Sequence, residues 1–305
     1  MDIFKEALAI EAQVIAWQEH FHENAELSQK EEHTVEVILE HLNKLGIACV
    51  NVPDGGVLGF IRGKKPGKTV LLRADIDALD MEEAPRNDKF PKKVLSKYPG
   101  VAHTCGHDAH TAMLMGAAQI LKAHESELEG NIVLYFERGE EHGEGDLHLM
   151  GYIQENNIHV DGAWGLHMRP NLPAGTIGTR EGGINAASCI WFIKLEKMEG
   201  NPFTMADCAV GVIHNLNTAR MREVSPYESL TITPCKVQIN EETCIVSGSC
   251  RFNEREKVGF PIHDVLKYGV AATVAYALGF LAHKEPIEFT PFVGTIKEFY
   301  ASLNV

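Results

Sequence analysis

Eight residues, Ala102 to Ala109, read Ala-His-Thr-Cys-Gly-His-Asp-Ala and gather a thiol, two imidazoles and a carboxylate. Cys105 and His107 have the spacing of a metal-ligand pair. On an extended or tightly turned backbone, residues two apart point the same way, so the sulfur and the imidazole can converge on one ion. A lone Cys-x-His is more often a reduced core cysteine beside surface histidines. Three apolar runs elsewhere in the chain change that weighting.

Thr69 to Asp77 is apolar until it ends in Asp75 and Asp77, residues that would equally suit the start of a solvated loop. Asn131 to Phe136 ends in Glu137-Arg138-Gly139-Glu140-Glu141, and Val160 to Leu166 delivers His167. Strands of a parallel sheet finish on one edge, where open α/β folds place ligands. Cys105, His107, Glu141 and His167 can therefore meet although they are far apart in sequence. The bland counterparts are an exposed acidic turn at Glu140-Glu141 and a capped core histidine at His167. His103, His110, His142 and His148 suit solvated or structural roles better than ligation.

The flanking patterns supply the elements that must position these groups. Phe4, Leu8, Ala12 and Ile15 recur at helical spacing from Ile3 to about His22. Ser28 and Glu31 form a capping-box pattern ahead of a helix through Val35, Ile38, Leu42 and Leu45. Ala48 to Val52 and Val57 to Arg62 read as strands around Asp54-Gly55-Gly56. Pro85 to Pro99 is a charged loop. Thr111 to Ala123 reads as a helix, which puts Cys105 and His107 on the loop before its N-terminus, where the dipole favours a thiolate.

The 305 residues suggest about two domains, with 45% apolar and 23% charged residues as in an ordinary globular protein. A formal charge of −14 argues against nucleic acid or an anionic membrane as partner, yet suits divalent cations. Seven scattered cysteines point to a reducing compartment, and Met1 to Leu8 has no apolar signal core, so the expected location is cytoplasmic. The most apolar run, Gly269 to Ala282, falls short of the ~20 residues a membrane span needs and reads as a buried helix.

The motifs together resemble peptidase family M20, the two-metal hydrolases that include aminoacylases and glutamate carboxypeptidases, and most closely its amidohydrolase branch with hippurate hydrolases. The resemblance is carried by Leu72-Arg73-Ala74-Asp75-Ile76-Asp77-Ala78-Leu79, His103 to Leu114, Gly139-Glu140-Glu141, Gly165-Leu166-His167 and Gly175-Thr176-Ile177-Gly178, with a weaker match at Phe21 to Leu27. It implies an α/β fold with a zinc-peptidase-like, mostly parallel sheet flanked by helices and an inserted smaller α+β lid and dimerisation domain. The implied boundaries are residues 1–178 for the catalytic metal-binding domain, 179–287 for the lid and 288–305 for a short return segment. The implied metal set is Cys105, as bridging thiolate, with His107, Glu141 and His167. Glu140 would be the general base, and Asp77 would orient a ligand from behind. Two divalent ions, zinc or manganese, are implied, and a homodimer through the lid. Chemistry supports the split of the two glutamates: one carboxylate is consumed as a ligand, while its unligated neighbour can take a proton from a water acidified by the ions.

The chain also departs from the family pattern. The glycine-rich lid turn that normally bears a substrate-facing histidine reads Glu196 to Phe203 with none, and the usual Asn-Val-Ile-Pro segment reads Gln238-Ile239-Asn240-Glu241. After Glu285-Pro286 the family returns to the catalytic domain and supplies a last metal-ligating histidine, whose positional equivalent is not in this sequence. The expectation is therefore an amidohydrolase of small N-acyl amino acids or related amides, holding two ions or fewer. The competing expectation is a catalytically degenerate relative that serves binding, regulation or assembly.

Overall fold

The computed structural model describes residues 2–87, 90–143, 145–179, 184, 187–197, 204–223, 230–252, 274 and 292–295. The chain divides into two compact units. One comprises residues 1–178, 257–288 and 292–305, and the other residues 179–256 and 289–291.

In the first unit, helices α1 (Ile3–Ala9), α2 (Glu11–Glu23) and α3 (Glu32–Lys44) precede strands β1 (Ala48–Val52), β2 (Gly56–Arg62) and β3 (Lys65–Asp75). The expected first helix is thus two helices, split at Ile10. The capping box at α3 does not form. Glu26 caps the helix instead, accepting from the His33 and Thr34 N–H groups. Ser28 Oγ donates to Asp77, and the buried Glu31 accepts from Arg138 and from the Gly139 N–H. Long-range partners have taken both side chains that the local pattern assigned to each other.

Strands β4 (Leu79–Asp80) and β5 (Val101–Ala102) pair across the Pro85–Pro99 loop and bring the Cys105 segment beside the end of β3. Helix α4 spans His107–Ala123. It starts four residues earlier than its apolar pattern suggests, so His107 is its first residue and only Cys105 remains on the preceding loop. The N-cap is Gly106 at φ 93°, where a Cβ would be strained and would also sit 3.2 Å from Met168. Strand β6 (Glu129–Glu137), helix α5 (Gly145–Glu155) and strands β7 (Gly162–Gly165) and β8 (Thr176–Thr179) follow.

The main sheet has the order β1-β2-β6-β3-β7. The strands that carry the motifs, β6, β3 and β7, run parallel to one another, while β1 and β2 add an antiparallel hairpin. The expected α/β architecture is present, with Asp75, Glu137 and Gly165 closing their strands on one edge. One face is covered by α1 to α4, whose apolar sides pack on Val70, Leu72, Ile132 and Leu134. The other is covered by Leu149 and Ile153 of α5, packed on Leu58, Leu71, Val133 and Tyr135. Strands buried on both faces read as continuous apolar runs, which is why β3 and β6 were visible in the sequence.

The second unit is built from β9 (Ala187–Glu196), α6 (Met205–Glu223), β10 (Leu230–Ile239) and β11 (Thr243–Phe252), the antiparallel sheet having the order β10-β11-β9. Trp191 and Leu195 pack with Cys244 and Val246 against Met205 and Ala209 of α6. Strand β12 (Phe292–Thr295) pairs with β8. The expected buried helix at Gly269 to Ala282 lies outside the described residues apart from Val274. Among the described residues no helix is long and apolar enough to cross a membrane.

Candidate metal centre

The parallel edge collects the residues that the motifs singled out. Asp77, two residues beyond the end of β3, is 1% exposed and serves two ligand candidates at once. Its Oδ1 lies 3.0 Å from His107 Nδ1, and its Oδ2 accepts from the Glu141 N–H at 3.0 Å and from Ser28 Oγ at 2.6 Å. Burial opposes its charge, but these donors outweigh burial and hold the carboxyl below the usual carboxylate range. With Nδ1 engaged, the His107 ring presents Nε2 to the centre.

His107 Nε2 and Glu141 Oε1 are both buried, 3.8 Å apart, and neither has a hydrogen-bond partner. Buried polar atoms are rarely left so unless something else binds them. Cys105 Sγ lies 3.5 Å from His167 Nε2, and His167 Nδ1 is 2.8 Å from the Met168 carbonyl, to which it donates. The donor atoms of Cys105, His107 and His167 all lie within 4.8 Å of one another, and so do those of His107, Glu140 and Glu141. Two ligands of one tetrahedral ion, each at about 2.0 to 2.3 Å from it, are themselves roughly 3.5 Å apart. The Cys105–His167 and His107–Glu141 separations match that spacing before any ion is added. A thiol, two imidazoles and a carboxylate form a donor set that suits zinc and tolerates manganese. The residues therefore fit a divalent-metal centre.

All five candidates and Asp77 are thus brought together, with His107 common to two overlapping groups. Glu140 and Glu141 lie in a single tight turn after Gly139, whose φ of 64° strains any residue with a side chain and where a Cβ would displace the Gln29 amide. Glu31 holds this turn from behind through the Gly139 N–H at 2.7 Å. The Glu140 carboxyl is pushed up to about 7, chiefly by burial and then by the Asp75 and Glu141 charges. Burial disfavours the His167 cation. The Cys105 sulfur, the Met168 carbonyl and Asp75 outweigh it and hold the imidazole at about 9 in the ion-free protein.

Several residues support the centre in ways that the sequence did not indicate. Asp75 accepts from His110 Nδ1 at 2.6 Å and from Arg73 at 2.6 Å, and Arg73 also bridges to Glu137. Behind the Cys105 loop, His22 sits between Asp108 and Glu83 at 2.9 and 2.8 Å. His110 had one available signal: it is three residues after His107 on α4, hence on the same face. His22 had only its place in the weaker match at Phe21 to Leu27, and Glu83 had none. Of the histidines expected to be solvated or structural, His142 and His148 are exposed, whereas His103 and His110 are buried.

The family model "Peptidase family M20/M25/M40" matches residues 71–300. An N-acetyl-L-cysteine deacetylase of Bacillus subtilis is 33% identical over 261 residues, covering 81% of this chain and 61% of the relative. The IAA-amino acid hydrolase ILR1-like 4 of Arabidopsis thaliana is 37% identical over 225 residues, covering 71% of this chain and 49% of the relative. The chain therefore spans between about half and three-fifths of the length of these two relatives. Among solved structures, the Bacillus subtilis YXEP protein, described as a dinuclear metal binding peptidase from the M20 family, superposes with a TM-score of 0.63 at 26% identity, covering 87% of this chain and 71% of that one.

Proposed function

The chain belongs to peptidase family M20/M25/M40, and from that premise we propose that it is a metal-dependent amidohydrolase cleaving a small N-acyl amino acid or related amide. The observation that carries this reading is the pair of buried, unpartnered donor atoms, His107 Nε2 and Glu141 Oε1, facing each other beside Cys105 and His167. The relatives named for N-acetylcysteine and amino-acid conjugates support the substrate class.

Cys105, His107, Glu141 and His167 would hold two ions, zinc or manganese, with the thiol leaning toward zinc. Such ions, when bound, acidify water and polarise a carbonyl. The remaining work belongs to the protein. Asp77 fixes the His107 ring so that its Nε2 lone pair enters the centre, and it anchors the Glu141 backbone. Glu140, held near neutrality by burial and the neighbouring carboxylates, takes the proton of the attacking water at its carboxylate and returns it to the leaving amine nitrogen. The protein is read as cytoplasmic. Residues 179–287 are read as a lid and homodimer interface, for which the exposed Phe192, Val237 and Ile239 on the second unit offer apolar surface.

Glu140→Gln tests the assignment. It should keep the metal content and lower turnover across an N-acyl amino acid panel by about a hundredfold to ten-thousandfold. Undiminished turnover would remove Glu140 from the role. Ion binding by the wild type without turnover on any substrate would favour the degenerate relative instead.

A further inference from the structure

Asp75, His107 and His110 also bring their donor atoms within 4.8 Å, and all three are buried. His110 is nevertheless not free to ligate. Its Nδ1 is 2.6 Å from Asp75 Oδ1, and its Nε2 accepts the Met168 backbone N–H at 2.9 Å. A nitrogen that accepts from an amide carries no proton, so the ring is the Nδ1–H tautomer with both nitrogens committed. Asp75 is committed as well, its second oxygen taking the Arg73 guanidinium.

Met168 directly follows His167, and its carbonyl accepts from His167 Nδ1. The residue is thus gripped at both backbone poles, by His110 on its N–H and by the ligand candidate on its C=O. The grip decides which His167 nitrogen faces Cys105. His110 stands one helical turn from His107 on α4, so one turn of helix carries a ligand and the group that locates another. The loop bearing His167 has no regular secondary structure of its own to fix its distance from His107.

We propose that His110, oriented by Asp75, is a positioning residue that sets His167 for metal binding through the Met168 backbone. This rests on the metal-centre reading above. It adds a clamp that lies outside the ligand set and touches neither substrate nor ion.

The test is calorimetric titration of the chelator-stripped full chain with zinc alone and with manganese alone, for the wild type, His110→Asn and His110→Gln. An Asn amide can replace Nδ1 toward Asp75 but reaches nothing at the Nε2 position, whereas a Gln amide oxygen can accept from Met168. His110→Asn should lose about 10- to 100-fold in affinity for an ion, and His110→Gln should recover most of that loss. Hydrogen–deuterium exchange on the wild type should show the Met168 amide protected beyond its loop neighbours. Equal affinity of wild type and His110→Asn overturns the clamp and leaves the metal centre standing, and so does an unprotected Met168 amide, which needs no variant to fold. Equal losses in both variants with matching falls in melting temperature reduce His110 to a structural residue. A wild type that binds no ion overturns the metal-centre reading itself.

Discussion

The two units handle polar groups in opposite ways. In the first, charged and polar side chains are taken out of water and satisfied by partners far away in sequence: Asp77 by His107, Ser28 and the Glu141 N–H, Glu31 by Arg138 and Gly139, Asp75 by His110. In the second, β9 alternates cleanly, Trp191, Ile193 and Leu195 being half-buried and Phe192, Lys194 and Glu196 exposed. Its described ion pairs, Lys194–Glu196 and Lys197–Glu242, lie at the surface. Buried polar networks cost free energy unless complete, so they are kept where geometry must be held, whereas a surface pair constrains little. Among the described residues, the fixed polar geometry lies in the first unit.

The contrast breaks most easily at Asp77. Replacing it with Ala leaves the buried His107 ring, the Ser28 hydroxyl and the Glu141 N–H without their common acceptor. The chain should lose about 3 to 5 kcal/mol of stability and about 10- to 100-fold or more in metal affinity. Thermal unfolding and metal titration measure the two effects separately. A loss no larger than that of a surface pair would mean that the network is not what holds the centre.

A second test uses pH. His167 is raised from 6.5 to about 9 in the ion-free protein, so its native state keeps a proton that the unfolded chain releases over that interval. Ion-free stability from this group is therefore present below about 6.5 and is lost as pH rises through about 9. Metal binding has the opposite dependence, because the ion must displace that proton. Apparent affinity should rise about tenfold per pH unit from 7 toward 9 and then level. A flat profile from titrations in matched buffers would take His167 out of the ligand set.

Glu31→Ala should have a smaller effect. Arg138 keeps Glu32 at 3.0 Å, so its charge stays partly compensated, and the orphaned group is the Gly139 N–H. About 2 kcal/mol of destabilisation is expected, with a fall in turnover larger than any fall in metal affinity, since the loosened turn carries Glu140 as well as Glu141.

The same contrast explains what the sequence disclosed. β1, Ala48–Val52, was legible to the residue because its apolar pattern and the Asp54-Gly55-Gly56 turn that follows it are local. Cys105, His107, Glu141 and His167 were legible because each follows a strand end or opens a helix within a distinctive motif. Ser28 and Glu31 misled because a local capping pattern lost to partners 49 and 107 residues away. The start of α4 was hidden because Gly106 allows the helix to begin at His107 with no side-chain cap to announce it. The supporting role of His110 depends on the Met168 backbone, 58 residues beyond it, and no spacing rule reaches that far.

The smallest expected effect completes the comparison from the other side. Lys194 and Glu196 face solvent on one strand of the second unit, 2.7 Å apart and each more than half exposed. Their attraction is screened and offset by the entropy of holding two long side chains still. Lys194→Ala should therefore change stability by less than about 0.5 kcal/mol and leave metal affinity unaltered, as read by the same melts and titrations used for Asp77→Ala. If it instead lowered metal affinity, the second unit would be coupled to the centre through its exposed face, and the division of labour drawn between the units would have to be abandoned.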